Sequence, residues 1–392
     1  MELEVQKYLR SGKTLDNLKE ELGIKSSEWR DLVILNYSQI ESPKTDPIVC
    51  ECRQLILQKG TWDVVFRSFE RFFNYGEALN LNNDFDYSKA VALEKIDGSI
   101  IGLFYYDGQW LMTTRGVIEG DCNVNDFMLT FKELFNMTVK QYPHFWDALE
   151  EKREKGFDYC YTFELVSPEN RVVTIYNNKD LYLLTARDRQ NDFCELNREV
   201  VSDLSSEMGV RLPTMHNFSD ISSLVQMASD LKELEEGFVC IDYTNQKNGN
   251  FSRLKVKNPA YLAISHLKES STSSLRELLR LVILGEVDEF LAYFPEYKQY
   301  TTELQKRYDD FKDAVEADLI EASKKKKNVN RKEYALWAKD KLHCSILFLY
   351  LNGTIDTLQD WINLMITSKG TKQFGKYMID ILKIKDIEWE VE

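Results

Sequence analysis

The sequence predicts an α+β domain built mainly on antiparallel sheet with flanking helices, followed by an all-helical C-terminal domain. Three observations lead there. From about Asp31, short apolar runs alternate with turn residues at strand spacing. Two Asp-Gly dipeptides, Asp97-Gly98 and Asp107-Gly108, sit between β-prone runs as hairpin signals. After Pro259 the strand signals stop and helical periodicity takes over.

Taken in order, the first thirty residues read as short helices. Val5 to Leu9 form one apolar stripe, and Leu15, Leu18 and Leu22 another, with Thr14 as its cap. Strands are expected at residues 32–35, 52–57, 90–96, 99–106, 110–114, 159–166, 172–176, 181–186, 238–243 and 251–256. Helices interrupt them near 124–155 and 197–208. The Ser/Thr-rich run 270–274 reads as a linker ending in a helix cap before 275–294, and further helices are expected over 300–324, 331–350 and 355–384. The expected domains are therefore 1–262 and 263–392.

Bulk properties narrow the function. A chain of 392 residues suits two domains, and 43% hydrophobic with 29% charged residues is a globular balance. No apolar run approaches the roughly 18 residues needed to span a bilayer. The start, Met1-Glu2-Leu3-Glu4, lacks a signal-peptide pattern, which predicts a cytoplasmic protein (the host-cell cytoplasm if phage-encoded). Seven cysteines without a Cys-x-x-Cys read as reduced thiols, and Cys50 and Cys52 would share one face of a strand. The formal net charge is −14, of which −12 falls in residues 1–262. Bulk electrostatics therefore do not hold a nucleic acid, and any contact must come from local basic clusters.

Four segments carry candidate chemistry. Lys95-Ile96-Asp97-Gly98 alone is a hairpin with a surface lysine. In Arg253-Leu254-Lys255-Val256-Lys257, strand alternation puts three cations on one face, which is either a solvated surface or a phosphate cradle. Glu164, inside the apolar run 161–166, needs a partner for an ionised carboxylate, and Glu236 stands at the entry to another strand.

Together these segments resemble the covalent nucleotidyltransferases. Lys95-Ile96-Asp97-Gly98 matches a Lys-x-Asp-Gly signature, and Phe163-Glu164, Glu236-Gly237-Phe238-Val239 and Lys255-Val256-Lys257 follow in that superfamily's order. The finer resemblance is to the RNA ligase 1 family of tailed bacteriophages. It is carried by Cys52-Arg53-Gln54-Leu55-Ile56, Arg71-Phe72-Phe73-Asn74-Tyr75-Gly76-Glu77 and Thr114-Arg115-Gly116 over roughly residues 30–260. The resemblance implies an ATP-dependent RNA ligase that joins 5′-phosphate and 3′-hydroxyl RNA ends through lysyl-AMP and adenylylated RNA. Lys95 would be the nucleophile, assisted by Lys255 and Lys257. Arg53, Arg71, Arg115, Lys255 and Lys257 would handle phosphates, with Gly98, Tyr37 and Phe73 as further nucleotide contacts. Glu164 would hold the ribose or a metal-bound water, and Glu236 the metal, Mg2+ or Mn2+. Arg71 and Arg115 stand where the family's pattern has lysines; the charge is kept, but arginine forks where lysine is a point charge.

The chemistry suits those residue types. A lysine attacks phosphorus as the free amine, which for an ordinary lysine costs about 4–5 kcal/mol at pH 7. Surrounding cations lower that cost and then stabilise the charge developing on the transferred phosphate. In the C-terminal region, Lys324, Lys325, Lys326, Lys327, Arg331 and Lys332 head a stretch with eight positive and two negative charges over 324–341. Tyr334 and Trp337 are interleaved there, so the stretch reads equally as a solvated helix end or as an RNA contact. The family's helical domain is associated with tRNA, implying cleaved tRNA as a substrate, an upstream end-healing kinase or phosphatase, no membrane and a monomer. The competing readings are a fungal-type tRNA ligase domain and a non-catalytic RNA-binding relative.

Overall fold

The computed structural model describes residues 2–259 except 40, 78–84, 126, 233 and 234, and residues 278–384 except 280, 284, 286, 294, 329, 342 and 383. The chain divides into two compact units, Met1–Ser265 and His266–Glu392. The expected boundary at 262 and the Ser/Thr-rich run 270–274 lie outside the described residues. Among the described residues, no helix is long and apolar enough to cross a membrane.

The first unit holds three sheets. The first comprises β1 (Ile24–Trp29), β2 (Leu32–Tyr37), β3 (Arg53–Gln58) and β4 (Val64–Arg67) in that order, all antiparallel. Its middle strands are apolar on both faces for a reason. Val33, Leu35, Leu55 and Leu57 pack on Leu3, Val5, Leu9 and Leu18 of the helices α1 (Glu4–Arg10) and α2 (Leu15–Leu22). On the other face Leu32, Ile34, Ile56 and Phe66 of β4 meet Phe104, Leu111 and Cys160 of the neighbouring sheet. A strand buried on both sides reads as a continuous apolar run. Thr14 caps α2 as expected, accepting a hydrogen bond from the Asn17 N–H.

The second sheet contains β7 (Ser99–Tyr106), β8 (Gln109–Thr113), β9 (Tyr159–Val166), β10 (Asp180–Asp188) and β11 (Cys194–Glu195), in the order β11-β10-β9-β7-β8. Its outer face buries Tyr161, Phe163 and Leu165 under the helices Phe131–Val139, Phe145–Glu154 and Arg198–Met208. The third sheet runs β12-β6-β13-β14-β5, with β5 (Phe73–Asn74), β6 (Ala90–Glu94), β12 (Met215–His216), β13 (Gly237–Lys247) and β14 (Asn250–Lys257). Ala92, Phe238, Cys240, Leu254 and Val256 pack against the helix Ile221–Ser229, whose Leu224 and Ala228 are buried.

Three local expectations are corrected. Asp107-Gly108 is a hairpin turn, with φ of 49° and 82° joining β7 to β8. Asp97-Gly98 is not: it crosses from β6 in the third sheet to β7 in the second. The expected strand at 172–176 does not form, because the Val173 and Thr174 N–H groups donate to the Asp97 carboxylate at 2.8 and 2.7 Å instead of to a neighbouring strand. Cys50 lies on a short helix, Pro47–Glu51, with Cys52 at its C-cap, so the two do not share a strand face.

The second unit is helical: Val287–Tyr293, Lys298–Asn328, Arg331–Lys339, Cys344–Leu351 and Leu358–Ile381 surround a core that includes Leu304, Phe311, Leu347, Trp361 and Met378. The expected helix 331–350 is two helices, broken where Lys341 pairs with Asp318 and Glu321 of the long helix.

Candidate active site

Strand alternation builds this site. On β9 the odd residues 161, 163 and 165 fill the helix-side core, which turns Glu164 to the opposite face. On β14, Leu254 and Val256 enter the core under the helix Ile221–Ser229, which turns Arg253, Lys255 and Lys257 away from it. The second and third sheets face each other there, and a cavity of about 190 Å³ opens between them. Lys95, Glu164, Glu236, Arg53, Lys255 and Lys257 line it, with apolar walls that include Ile100, Val239 and Ile241.

Lys95 immediately follows β6. Its backbone N–H donates to the Gly237 carbonyl at 2.8 Å, and its Nζ donates to Glu236 Oε2 at 2.5 Å. Behind it, the buried Asp97 accepts the amides of Val173 and Thr174, and its own N–H donates to Tyr176 Oη at 3.2 Å. A Cβ on Gly98 would lie 2.4 Å from the Leu165 carbonyl oxygen and 2.9 Å from Val166, so this position accepts only glycine. The Lys-x-Asp-Gly segment is thus a rigid clamp that presents one amine.

Electrostatics divide the cavity into an anionic and a cationic side. Burial, partly offset by Lys95, pushes the Glu164 carboxyl up to about 7. Burial together with Arg53, Lys257, Lys95 and Arg71 holds the Lys255 ammonium well below the usual lysine range. Burial leads both shifts, against Lys95 and Arg53 at Glu164 and together with the neighbouring cations at Lys255.

Beneath the cavity lies an arginine cluster around the Tyr37 ring. Arg71 and Arg115 sit 5.1 and 4.7 Å from its centroid, and Arg53 stacks at 5.3 Å on Phe72. Burial alone would raise the Tyr37 phenol; Arg53, Arg115 and Arg71 bring it below its ordinary value. Arg71 donates to Glu77 at 2.5 Å and Arg115 to Asn36 at 2.9 Å. Even so, Arg53 Nη1, Arg71 Nε and Arg115 Nη2 are buried with no hydrogen-bond partner among the described residues. Three guanidiniums with unsatisfied buried donors are costly unless a polyanion completes them.

Other expected residues have partners of their own or lie elsewhere. Phe73 is buried in an adjoining cavity with Arg71. Arg253, which strand spacing grouped with the two lysines, is fixed by the buried Glu195, donating to its Oε1 at 2.7 Å; Arg187 holds the same carboxylate at 3.0 Å. In the helical unit Tyr334 is core, donating to the Leu347 carbonyl, so it presents no stacking face. Lys325 and Lys341 flank the Trp337 ring at 5.4 and 5.2 Å. Lys326 donates to the Tyr350 carbonyl and Arg331 to Asn352. Lys324, Lys327 and Lys332 stand in the same two helices. Sequence reasoning did not find Phe69, Phe72 or Tyr176, because an aromatic near a motif carries no pattern of its own.

Residues 51–261 match the family described as RNA ligase, a span holding every expected cavity residue from Arg53 to Lys257 and just over half of the chain. The chain belongs to this RNA ligase family. Tyr37 lies ahead of the matched span. An RNA ligase of Rhodothermus phage RM378 is 24% identical over 427 residues, covering 92% of this RNA ligase-family chain and 94% of the phage protein. A protein of Autographa californica nuclear polyhedrosis virus, provisionally named a bifunctional polynucleotide kinase/RNA ligase, is 34% identical over 314 residues. The match covers 76% of this chain and 42% of the viral protein, so this chain spans less than half of that relative. The structure of Naegleria gruberi RNA ligase with PPi is 12% identical at a TM-score of 0.40, covering 65% of this chain and 68% of that one. That likeness is too loose to bear on the site.

Proposed function

We propose that this protein is an ATP-dependent RNA ligase that seals 5′-phosphate to 3′-hydroxyl ends through Lys95. The observation that carries the reading is the Lys95 amine, hydrogen-bonded to Glu236 and facing Lys255, Lys257 and Arg53 in one cavity. In the first step Lys95 Nζ forms a bond to the α-phosphorus of ATP while the bond to pyrophosphate breaks. Pyrophosphate leaves with the bonding pair, and Glu236 Oε2 takes the amine proton. Lys255 and Lys257 stabilise charge on the α-phosphate oxygens. Arg53, Arg71 and Arg115 hold the β- and γ-phosphates, for which their unsatisfied donors are suited. The nucleoside fits the adjoining cavity that shares Lys95 and Glu94, walled by Tyr176, His216 and Phe238.

A divalent cation fits the donor set. Glu164 and Glu236 face the same cavity, and burial raises the Glu164 carboxyl more than Lys95 and Arg53 lower it. Mg2+ or Mn2+ held there through water would neutralise phosphate charge while keeping most of its hydration. AMP then passes to an RNA 5′-phosphate, and a 3′-hydroxyl displaces AMP.

The wider setting is part of the proposal. The substrate is single-stranded or cleaved RNA, tRNA included, contacted by the basic stretch 324–332 of the helical unit. The kinase in the viral relative's name supports an end-healing step upstream, and the phage and viral sources of the two relatives support action in a host cytoplasm. A monomer is the oligomeric state proposed. Incubating the protein with ATP, Mg2+ and a 5′-phosphorylated single-stranded RNA should yield circles resistant to phosphatase. RNA that stays linear, with no adenylylated RNA accumulating, would contradict the reading.

A further inference from the structure

A second cavity, of about 200 Å³, adjoins the lysine cavity and shares Phe69, Phe72 and Arg253 with it, but it does not touch Lys95. Phe85, Phe251, Arg71 and Lys247 are among its other walls, with Glu70 the one carboxylate among the described residues of the lining. We propose that this cavity receives the base of the RNA nucleotide that carries the 5′-phosphate. The proposal rests on the ligase reading and adds to it a place for the second substrate.

Stereochemistry chooses the side. Displacement at phosphorus runs in line, with attacking and leaving groups opposite one another. Lys95 enters opposite pyrophosphate. In the next step Lys95 is itself the leaving group, so the RNA 5′-phosphate must approach from where pyrophosphate departed. That is the side of Arg53 and Arg71. A 5′-phosphate oxygen forms the new bond to the AMP phosphorus, the bond to Lys95 Nζ breaks, and the nitrogen keeps the electron pair and takes a proton. The nucleotide behind that phosphate then lies beyond Arg71, and the aromatic cavity begins there.

The lining suits a nucleotide. Phe72 separates the two cavities, with Arg53 and Lys255 lying 5.3 and 4.7 Å from its ring centroid. Phe85, half-buried and 4.9 Å from Tyr87, offers a stacking surface. Arg71 Nε is buried without a hydrogen-bond partner among the described residues, and the exposed Lys247 marks the rim where a phosphodiester would continue. Aromatic walls with cationic edges bind a base and its backbone with little dependence on sequence. The cavity proposed for the AMP nucleoside shares no lining residue with this one among the described residues, so the two do not compete.

The test uses purified lysyl-AMP protein in a single turnover with two RNAs that differ only in whether the 5′-terminal nucleotide carries a base. Wild type should transfer AMP roughly tenfold more slowly to the abasic RNA, as expected for one lost stack. Phe85→Ala should slow transfer to the ordinary RNA and erase the discrimination, and Lys247→Ala should weaken both RNAs alike. Equal wild-type rates, or discrimination that survives Phe85→Ala, would overturn the subsite and leave the ligase reading standing. A wild type that never forms lysyl-AMP would reject the ligase reading itself.

Discussion

At the scale of single residues, two groups in the cavity have environments that set measurable signs. The Glu164 carboxyl is raised by burial to about 7, so the folded state holds its proton more tightly than the unfolded state. Its burial costs nothing below the unfolded value near 4.5, and stability is lost as pH rises through about 7. Relative to Glu164→Gln, the wild type should lose about 2–3 kcal/mol between pH 4 and pH 8. Urea unfolding at several pH values measures this, and a constant difference between the two proteins would refute it. Glu51, which accepts the Glu4 and Val5 amides, is also raised to about 7 by burial, so only the difference from the variant isolates Glu164. Arg53 gives the second prediction. Its guanidinium meets Phe69 and Phe72 and keeps a buried, unsatisfied Nη1. Arg53→Lys retains the charge but not the fork, so lysyl-AMP formation should slow about ten- to a hundredfold. A change under twofold would remove Arg53 from phosphate binding.

At the scale of elements, the same dipeptide serves two purposes. Asp107-Gly108 turns a hairpin, whereas Asp97-Gly98 carries the chain between sheets and locks the lysine. Gly98→Ala would drive a methyl group into the Leu165 carbonyl and Val166. It should destabilise the protein by about 1–3 kcal/mol and displace Lys95, reducing lysyl-AMP formation. Gly108→Ala meets no atom within 4 Å, so its cost is confined to the turn and lysyl-AMP formation should persist. Stability curves and label incorporation for the pair test this contrast, and equal loss of adenylylation in both would contradict it. The difference explains what was legible beforehand. Strand alternation placed Lys255 and Lys257 on one face, opposite Leu254 and Val256, as the structure has them, whereas Glu164 stood out only as a carboxylate in an apolar run. Alternation could not show that Asp97 takes the Val173 and Thr174 amides, nor that Glu195 takes Arg253, because both depend on partners about 60 to 80 residues away. The strand expected at 172–176 failed for that same reason.

For the whole molecule, residues 1–262 are acidic overall yet bring Arg53, Lys95, Arg253, Lys255 and Lys257 to one cavity. On the proposed function the polyanion is held by that local cluster, not by the general field. The helical unit has nearly balanced charge, and several of its basic residues are committed to internal contacts, Lys326 with Tyr350 and Lys341 with Asp318 among them. The basic stretch 324–332 is the RNA contact proposed for this unit. The double variant Lys324→Ala/Lys332→Ala should keep lysyl-AMP formation, weaken binding of a tRNA, and flatten the salt dependence by about one to two counterions. An unchanged salt slope would place the RNA elsewhere. The α+β and helical classes were readable from periodicity, since the change from strand to helix period is abrupt near Pro259. The grouping of strands into three sheets was not, because local pattern does not encode which strands pair.

The account turns on the amine of Lys95. Wild type and Lys95→Ala, both treated with pyrophosphate to strip resident AMP, should be incubated with Mg2+ and ATP labelled at the α-phosphate, then run on a denaturing gel. Covalent label on the wild type and none on the variant is the predicted result. Label on both would place the nucleophile at another residue, and label on neither would contradict a nucleotidyltransferase altogether.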